Sequence, residues 1–244
     1  MRLVHTAVAG VLLAMSFCVC AQTGNWEGET ELGVLVTSGN TRQTNVKGHV
    51  ALKHDDAPWR NSADLRVIYT EAEGRTTAEK YRGELKTDYK YTDKKYWFMH
   101  ETYANERFSG YDFEASATLG LGYRFWQSGK RSGLDVSAGG GYRFGKLESA
   151  QVNGSRNEHE AIVRLAGILD FELSESAVFR QKVSSEMGLE KEDVVTESET
   201  SLLTNITDSL SMKLSYYVKY RSDPPAGSET TNTETALTVL YVFL

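Results

Sequence analysis

The segment that decides the fold is Tyr81-Arg82-Gly83-Glu84-Leu85-Lys86-Thr87-Asp88-Tyr89-Lys90-Tyr91. Tyr81, Gly83, Leu85, Thr87, Tyr89 and Tyr91 share one parity. Arg82, Glu84, Lys86, Asp88 and Lys90 occupy the other, so five charges alternate with apolar, aromatic or small residues without a break. A period of two is the signature of a β-strand, whose successive side chains point to opposite faces. Strands of soluble sheets run about 5–6 residues, whereas a tilted strand that crosses a bilayer needs about 9–11. One charged face and one apolar face over this length predict a strand with water on one side and lipid on the other.

The same period extends in both directions. Toward the N-terminus, Leu65, Val67 and Tyr69 oppose Asp64, Arg66 and Thr70, and Val46, Gly48, Val50 and Leu52 oppose Lys47, His49 and Lys53. Trp26, Thr30, Leu32, Val34 and Val36 oppose Glu27, Glu29 and Glu31. Toward the C-terminus, Tyr96–Arg107 alternates with a less clean phase that suggests a bulge. Apolar faces follow at Phe113–Phe125, Leu134–Phe144, Ala161–Phe171, Leu210–Tyr220 and Leu237–Phe243, with weaker strands over Ala177–Gly188 and Val195–Ile206. The expected fold is all-β, an antiparallel transmembrane β-barrel of about twelve strands, an even number as single-chain bacterial barrels have.

The connections are an independent test. With both termini in the periplasm, the inward turns His54–Pro58, Thr92–Lys94, Gln127–Arg131, Leu173–Glu175 and Thr207–Ser209 are short. Among the outward ones, Lys146–Glu158, Leu189–Val194 and Ser222–Thr230 are longer than Ala72–Thr76. Short periplasmic turns and longer external loops are the asymmetry of this class. All three prolines, Pro58, Pro224 and Pro225, fall in connections, where no ladder hydrogen bond is lost. The chain ends on the alternation Leu237, Val239, Tyr241, Phe243, as barrel assembly signals do, with Leu244 as one further residue.

Residues 1–21 read as a secretory signal: Arg2 and His5, an apolar run from Ala7 to Cys20, then Ala21. Residues 22–244 would form the barrel. Cys18 and Cys20, the two cysteines of the chain, lie within that signal, so no disulfide, thiolate metal site or cysteine nucleophile is expected in the mature protein. Of 27 Lys and Arg, only Arg2 lies in the signal; 26 basic against 33 acidic residues then give a net charge of -7. That balance lacks the basic footprint that nucleic acid requires.

The inward parity collects the candidate lumen-lining residues: Glu29, Glu31, Lys47, His49, Arg66, Arg82, Glu84, Lys86, Asp88, Arg124, Arg143 and Arg164. Both signs occur, so no single-sign selectivity ring is evident. A mutually neutralising network or a narrow aqueous passage are the two readings. A serine hydrolase would need a Ser–His pair, but His49, His54, His100 and His159 stand in no recognisable motif. Paired carboxylates at the rim could come from Glu71, Glu73, Asp112, Glu192 and Asp193, though solvated loop charges are the simpler reading. The acidic run Glu190-Lys191-Glu192-Asp193 lacks the spacing of a calcium loop. Tyr89, Tyr91, Tyr96, Trp97 and Phe98 read as an interfacial aromatic girdle.

Several motifs point to a family. Trp26-Glu27-Gly28, Gly33 and Thr37-Ser38-Gly39-Asn40-Thr41, then Arg107-Phe108-Ser109-Gly110-Tyr111-Asp112, Gly120-Leu121-Gly122-Tyr123-Arg124-Phe125 and Gly139-Gly140-Gly141-Tyr142-Arg143 resemble the YdiY-like salt-induced outer-membrane proteins. The resemblance implies an outer-membrane barrel with a link to salt or osmotic conditions, and it brings no catalytic residues and no cofactor. Outer-membrane lipid and lipopolysaccharide are the surroundings it implies, with the barrel-assembly machinery engaged during insertion. No nucleic-acid partner is expected, and the oligomeric state stays open. A narrow passive pore or envelope component is the first expectation, a closed barrel acting through its loops the second, and a hydrolase the third.

Overall fold

The computed structural model describes residues 25–37, 43–129, 131–148, 155–191, 193–225 and 227–243; the expected signal, residues 1–21, lies outside them. Twelve strands follow one another: β1 (Trp26–Thr37), β2 (Gln43–Asp56), β3 (Trp59–Ala72), β4 (Arg75–Lys90), β5 (Lys95–Arg107), β6 (Tyr111–Ser128), β7 (Ser132–Leu147), β8 (Asn157–Ser174), β9 (Ala177–Gly188), β10 (Val194–Asn205), β11 (Leu210–Arg221) and β12 (Thr231–Phe243). Each is antiparallel to the next, and β12 returns to pair with β1 from Gly28↔Phe243 to Leu32↔Val239, closing a twelve-strand barrel. Closure leaves no sheet edge to be satisfied by water, the condition for crossing a bilayer with strands.

The distribution of side chains is inverted relative to a soluble protein. Leu119 and Leu237 are each 64% exposed, and Leu32, Leu65, Leu85, Leu165 and Leu214 join them on the outside. Glu31 and Asp88 are 1% and 2% exposed. An apolar belt outside and charges inside make this an outer-membrane barrel, with lipid as the outer solvent.

Both β1 and β12 have their chain-terminal ends at one rim. The connections at that rim span two to four residues, whereas those at the opposite rim reach nine residues at 148–156 and 222–230. The first is therefore called the terminal end, which the asymmetry makes periplasmic, and the second the loop end. The shortest loop-end connection is Glu73-Gly74, with φ of 50° and 75°, the pair of positive values that a tight two-residue hairpin uses.

Two expectations change. The uneven phase of β5 is not a bulge, since its ladders with β4 and β6 run without a shift; register shifts occur instead at Thr70/Glu71 between β3 and β4, at Tyr111/Phe113 and Arg124/Trp126 in β6, and at Glu172/Ser174 between β8 and β9. The phase looks uneven because Tyr96 and Phe98 belong to the inward parity, while Glu101 stands on the outward one. Tyr89, Tyr91 and Trp97 face outward as a girdle would, but Tyr96 and Phe98 are buried in the lumen at 4% and 2% exposure. The adjoining wall of β6 and β7 gives up bulk beside them. A Cβ at Gly122 would run into the Tyr96 ring, and one at Gly139 would come within 2.9 Å of Phe98.

Candidate functional site in the barrel lumen

All twelve candidate lumen residues project inward, and the structure groups them by height and adds the partners that alternation does not reveal. At the terminal end is a cavity of about 630 Å³ lined by, among others, Glu27, Glu29, Arg60, Lys86, Asp88, Tyr96, Arg124, Asp135, Asp170, Arg180 and Lys182. Its lining carries ten acidic residues and ten Lys or Arg. Most are paired with neighbours: Arg60 with Asp88 at 2.6 Å, Lys86 with Asp88 at 3.1 Å, Arg124 with Asp135 at 3.1 Å and Arg180 with Asp170 at 2.6 Å. Arg60 and Lys86 each lie 5.0 Å from the centroid of the Tyr96 ring, so the inward tyrosine serves as a cation platform.

Along the β1–β3 and β10–β11 wall, six groups close a ring of alternating character. Glu31 Oε2 faces His49 Nδ1 at 3.2 Å, and His49 Nε2 faces Asp64 Oδ2 at 2.6 Å. Asp64 accepts from Arg66 at 2.9 Å, Arg66 donates to Glu199 at 3.0 Å, Glu199 meets Lys213 at 2.9 Å, and Lys213 returns to Glu31 at 3.1 Å. Each nitrogen of His49 faces a carboxylate oxygen, an arrangement that the doubly donating imidazolium satisfies. Lys47 reaches Glu234 of β12 at 2.8 Å.

At mid-height the side chains cross the lumen. Arg82 on β4 donates to Glu197 on β10 through both terminal nitrogens, at 2.6 and 2.7 Å, and those strands are diametrically opposite. Lys219 on β11 meets Glu106 on β5, again on opposite walls, at 3.1 Å. Glu84 holds the other side of Arg82 at 2.8 Å and His100 at 3.4 Å. Arg221 adds a third span, to Glu114 and to the Tyr111 hydroxyl across five strands. Around these bars the free space shrinks to about 50 Å³, room for a few waters at most. Arg164, 3.6 Å from Glu186, lines this constriction.

Above the bars, at the loop end, a second cavity of about 370 Å³ is lined by Tyr111, Arg143, Glu148, Glu158, Glu160, Lys191, Asp193, Arg221 and Asp223, among others. Arg143 ties Glu160 of β8 at 3.0 Å to Asp193 of the β9–β10 loop at 2.9 Å. The lumen is thus two polar basins separated by a layer of ion pairs.

The residues weighed for enzyme chemistry are placed elsewhere. His54 packs on Trp26, 4.6 Å between centroids, His159 is exposed at the loop end, and His49 and His100 are engaged with carboxylates. Glu71 accepts from the Tyr69 hydroxyl, and Asp112 pairs with Lys146 and Arg156. Asp193 is engaged by Arg143, Arg221 and Ser222, so it is not available as a ligand in an acidic loop; Glu192 lies outside the described residues. Among the described residues, no group of three or more His, Cys, Asp or Glu is placed to hold a metal ion.

Absent from the candidate set were the acids that complete the network, Glu106, Glu114, Glu160, Glu186, Glu197 and Glu199, with Lys213, Lys219 and Arg221. The Glu197-Ser198-Glu199 spacing and the Lys213…Lys219-Tyr220-Arg221 parity carry the signal that would have placed them inward.

The family described as “Protein of unknown function, DUF481” matches residues 30–243. The uncharacterized protein YdiY of Escherichia coli (strain K12) is 26% identical over 222 residues, covering 88% of this chain and 82% of that protein. Among solved structures, the NanC porin superposes with a TM-score of 0.54 at 12% identity, covering 88% of this chain and all of that one. The COG4313 outer membrane channel of Pseudomonas putida F1 gives 0.51 at 10% identity, covering 92% and 97%. At these identities the likeness is one of fold, that of outer-membrane barrels.

Proposed function

The chain belongs to this DUF481 family, and on that premise we propose that it is a porin-like outer-membrane protein whose lumen is a narrow passage for small ions, throttled by ion pairs at mid-height. The observation that carries the proposal is the pair of polar basins, about 370 and 630 Å³, facing each other across a 50 Å³ constriction barred by Arg82–Glu197 and Lys219–Glu106. Basins of that size are built for solvated ions; the bars are side chains rather than backbone, so they rearrange without unfolding the wall. The NanC porin and the COG4313 channel share the fold, which supports a conducting role. Among the described residues no cluster of His, Cys, Asp or Glu is placed to hold a metal ion, and of the histidines weighed for catalysis His49 and His100 are engaged with carboxylates, so the protein is proposed not to be an enzyme. Ionic strength acts first on the solvated charges of the two basins, because the Debye length falls from about 10 Å at 0.1 M to about 3 Å at 1 M, whereas the buried contact pairs of the bars are screened much less. That is the physical form a link to salt conditions would take.

The test is single-channel recording of the refolded protein in a planar bilayer, beside the double variant Glu106→Gln/Glu197→Gln. Small discrete steps are expected for the native barrel and larger ones for the variant. Silence from both folded proteins would overturn the passage and favour the second reading, a closed barrel acting through its loops, to which the same crossbars lend support.

A further inference from the structure

The outward face of the barrel is largely apolar: Glu101 on β5 and the threonines Thr231, Thr233 and Thr235 toward the loop end of β12 are exceptions on single strands, and one sector spanning two strands is polar at mid-height. On β8 the lipid side shows Val163, Leu165, Gly167, Leu169 and Phe171, and on β11 it shows Met212, Leu214, Tyr216, Val218 and Tyr220. Between them, the middles of β9 and β10 present Gln181, Ser185, Thr196, Ser198 and Thr200 around a single Val183. The register fixes this placement. Gln181 stands beside Leu169 and Thr200, Val183 beside Gly167 and Ser198, and Ser185 beside Leu165 and Thr196. Across the next ladder, Thr196, Ser198 and Thr200 lie beside Tyr220, Val218 and Tyr216. Their chain neighbours Lys182, Glu197 and Glu199 point into the lumen, where Glu197 and Glu199 hold Arg82, Arg66 and Lys213, so the outward parity of the patch is secure.

Within the patch the groups are linked: Gln181 Nε2 donates to Ser198 Oγ at 2.9 Å, Thr200 Oγ1 donates to Gln181 Oε1 at 2.6 Å, and Ser185 and Thr196 share a hydrogen bond at 3.0 Å. These links leave hydroxyl capacity turned outward, since each hydroxyl offers one donor and two acceptor positions. An acyl chain cannot use that capacity, and in helical membrane proteins hydroxyl and carboxamide side chains at mid-membrane are used across contacts between protein surfaces.

We propose that the β9–β10 face is a docking surface for a second copy of this chain, forming a two-fold dimer in the plane of the membrane. The occupant follows from the chemistry of the patch. Hydroxyls and a carboxamide both donate and accept, so the patch is complementary to itself, which is what a two-fold contact demands. A second copy is also held at the same depth and orientation by its own apolar belt. Under a two-fold axis along the membrane normal, the β8 side of one copy faces the β11 side of the other. The notch at Gly167, open on its outer face, then lies on the side where the partner brings its Tyr216–Tyr220 ridge.

Site-directed disulfide cross-linking in outer-membrane vesicles tests this, because the chain's two cysteines, Cys18 and Cys20, precede the barrel. Under mild oxidation Ser198→Cys is expected to give a covalent dimer, and Leu85→Cys on the far wall is expected to give none. Thr196→Val/Ser198→Val/Thr200→Val is expected to keep the heat-modifiable gel shift of a folded barrel while its mass in mild detergent falls from dimer to monomer. Should Ser198→Cys fail to insert, Ser185→Cys replaces it with the same expectation. A monomeric native mass with no cross-link, as lipid occupancy of the face would give, overturns the proposal. So does equal cross-linking from Leu85→Cys, or cross-linking of Ser198→Cys to the outward-facing Glu101→Cys in a mixed population in place of itself.

Discussion

Glu31 is the most enclosed charge of the wall, with His49 at 3.2 Å, Lys213 at 3.1 Å and the Thr238 hydroxyl at 2.7 Å. Removing one member of a buried pair leaves the other charged and unsatisfied, which costs about 3–5 kcal/mol, far more than the pair itself contributes. Glu31→Ala takes one of two carboxylates from each of His49 and Lys213, leaving Asp64 and Glu199 as their remaining partners, so urea unfolding of the lipid-embedded barrel should show a loss at the lower end of that range, about 3 kcal/mol. Glu27→Ala is the contrast. Its pair with Lys53 is solvent-exposed on both sides, 62% and 42%, and exposed pairs are worth about 1 kcal/mol or less, so its midpoint should hardly move. A similar loss from both variants would show that the ring around His49 has no special standing. At this scale alternation was informative about direction and silent about partners. Parity puts Glu31 and Lys213 inside, but their sequence separation of 182 is bridged only when β12 closes on β1, and closure is a property of the whole sheet.

β5 shows where reading by pattern runs out at the level of a strand. Apolar residues were assigned to lipid and charges to water, and Tyr96 and Phe98 break that rule because a barrel interior takes an aromatic ring wherever the adjoining strands make room. The room comes from β6 and β7, whose inward positions include Ser116, Thr118, Gly120 and Gly122, and Ser137, Gly139 and Gly141. Bulk on one strand and its absence on its neighbours form one packing unit, visible in sequence only if the inward parities of three strands are compared. A double-mutant cycle measures the unit. Gly122→Val places its branch where the Tyr96 ring lies, and overpacking of this kind costs about 1–3 kcal/mol. Tyr96→Ala in the same chain vacates the ring, so the double variant should recover most of the loss caused by Gly122→Val. Additive losses in the unfolding midpoint would mean that the ring and the glycine do not share the space. By contrast, the twelve strands themselves, their phases and the short turns at the terminal end were legible, because lipid imposes a strict period of two on every strand that meets it.

Across the whole molecule, charge is graded along the axis in a way that no single strand displays. The loop-end basin is lined by six carboxylates against three Lys or Arg, the terminal-end basin by ten of each, and the constriction between them by five Lys or Arg against three carboxylates. An acidic vestibule gathers cations by its field, whereas the narrowest layer, where a passing ion loses most of its water, offers an excess of guanidinium and ammonium groups. Selectivity in such a path is set where the ion is most desolvated, since a charge there acts at the lowest effective dielectric. The native barrel should therefore show at most a weak preference, with vestibule and constriction opposing each other. Glu197→Gln removes a carboxylate from the constriction and frees Arg82 on its cross-lumen side while leaving the vestibule untouched. Under a salt gradient its reversal potential should move toward that of the anion, and its single-channel conductance should rise. Arg82→Gln, which deletes the opposite charge from the same bar, should move the reversal potential the other way while also enlarging the conductance. Parallel shifts from the two variants would mean that the bar limits width alone and that selectivity is set at the mouths.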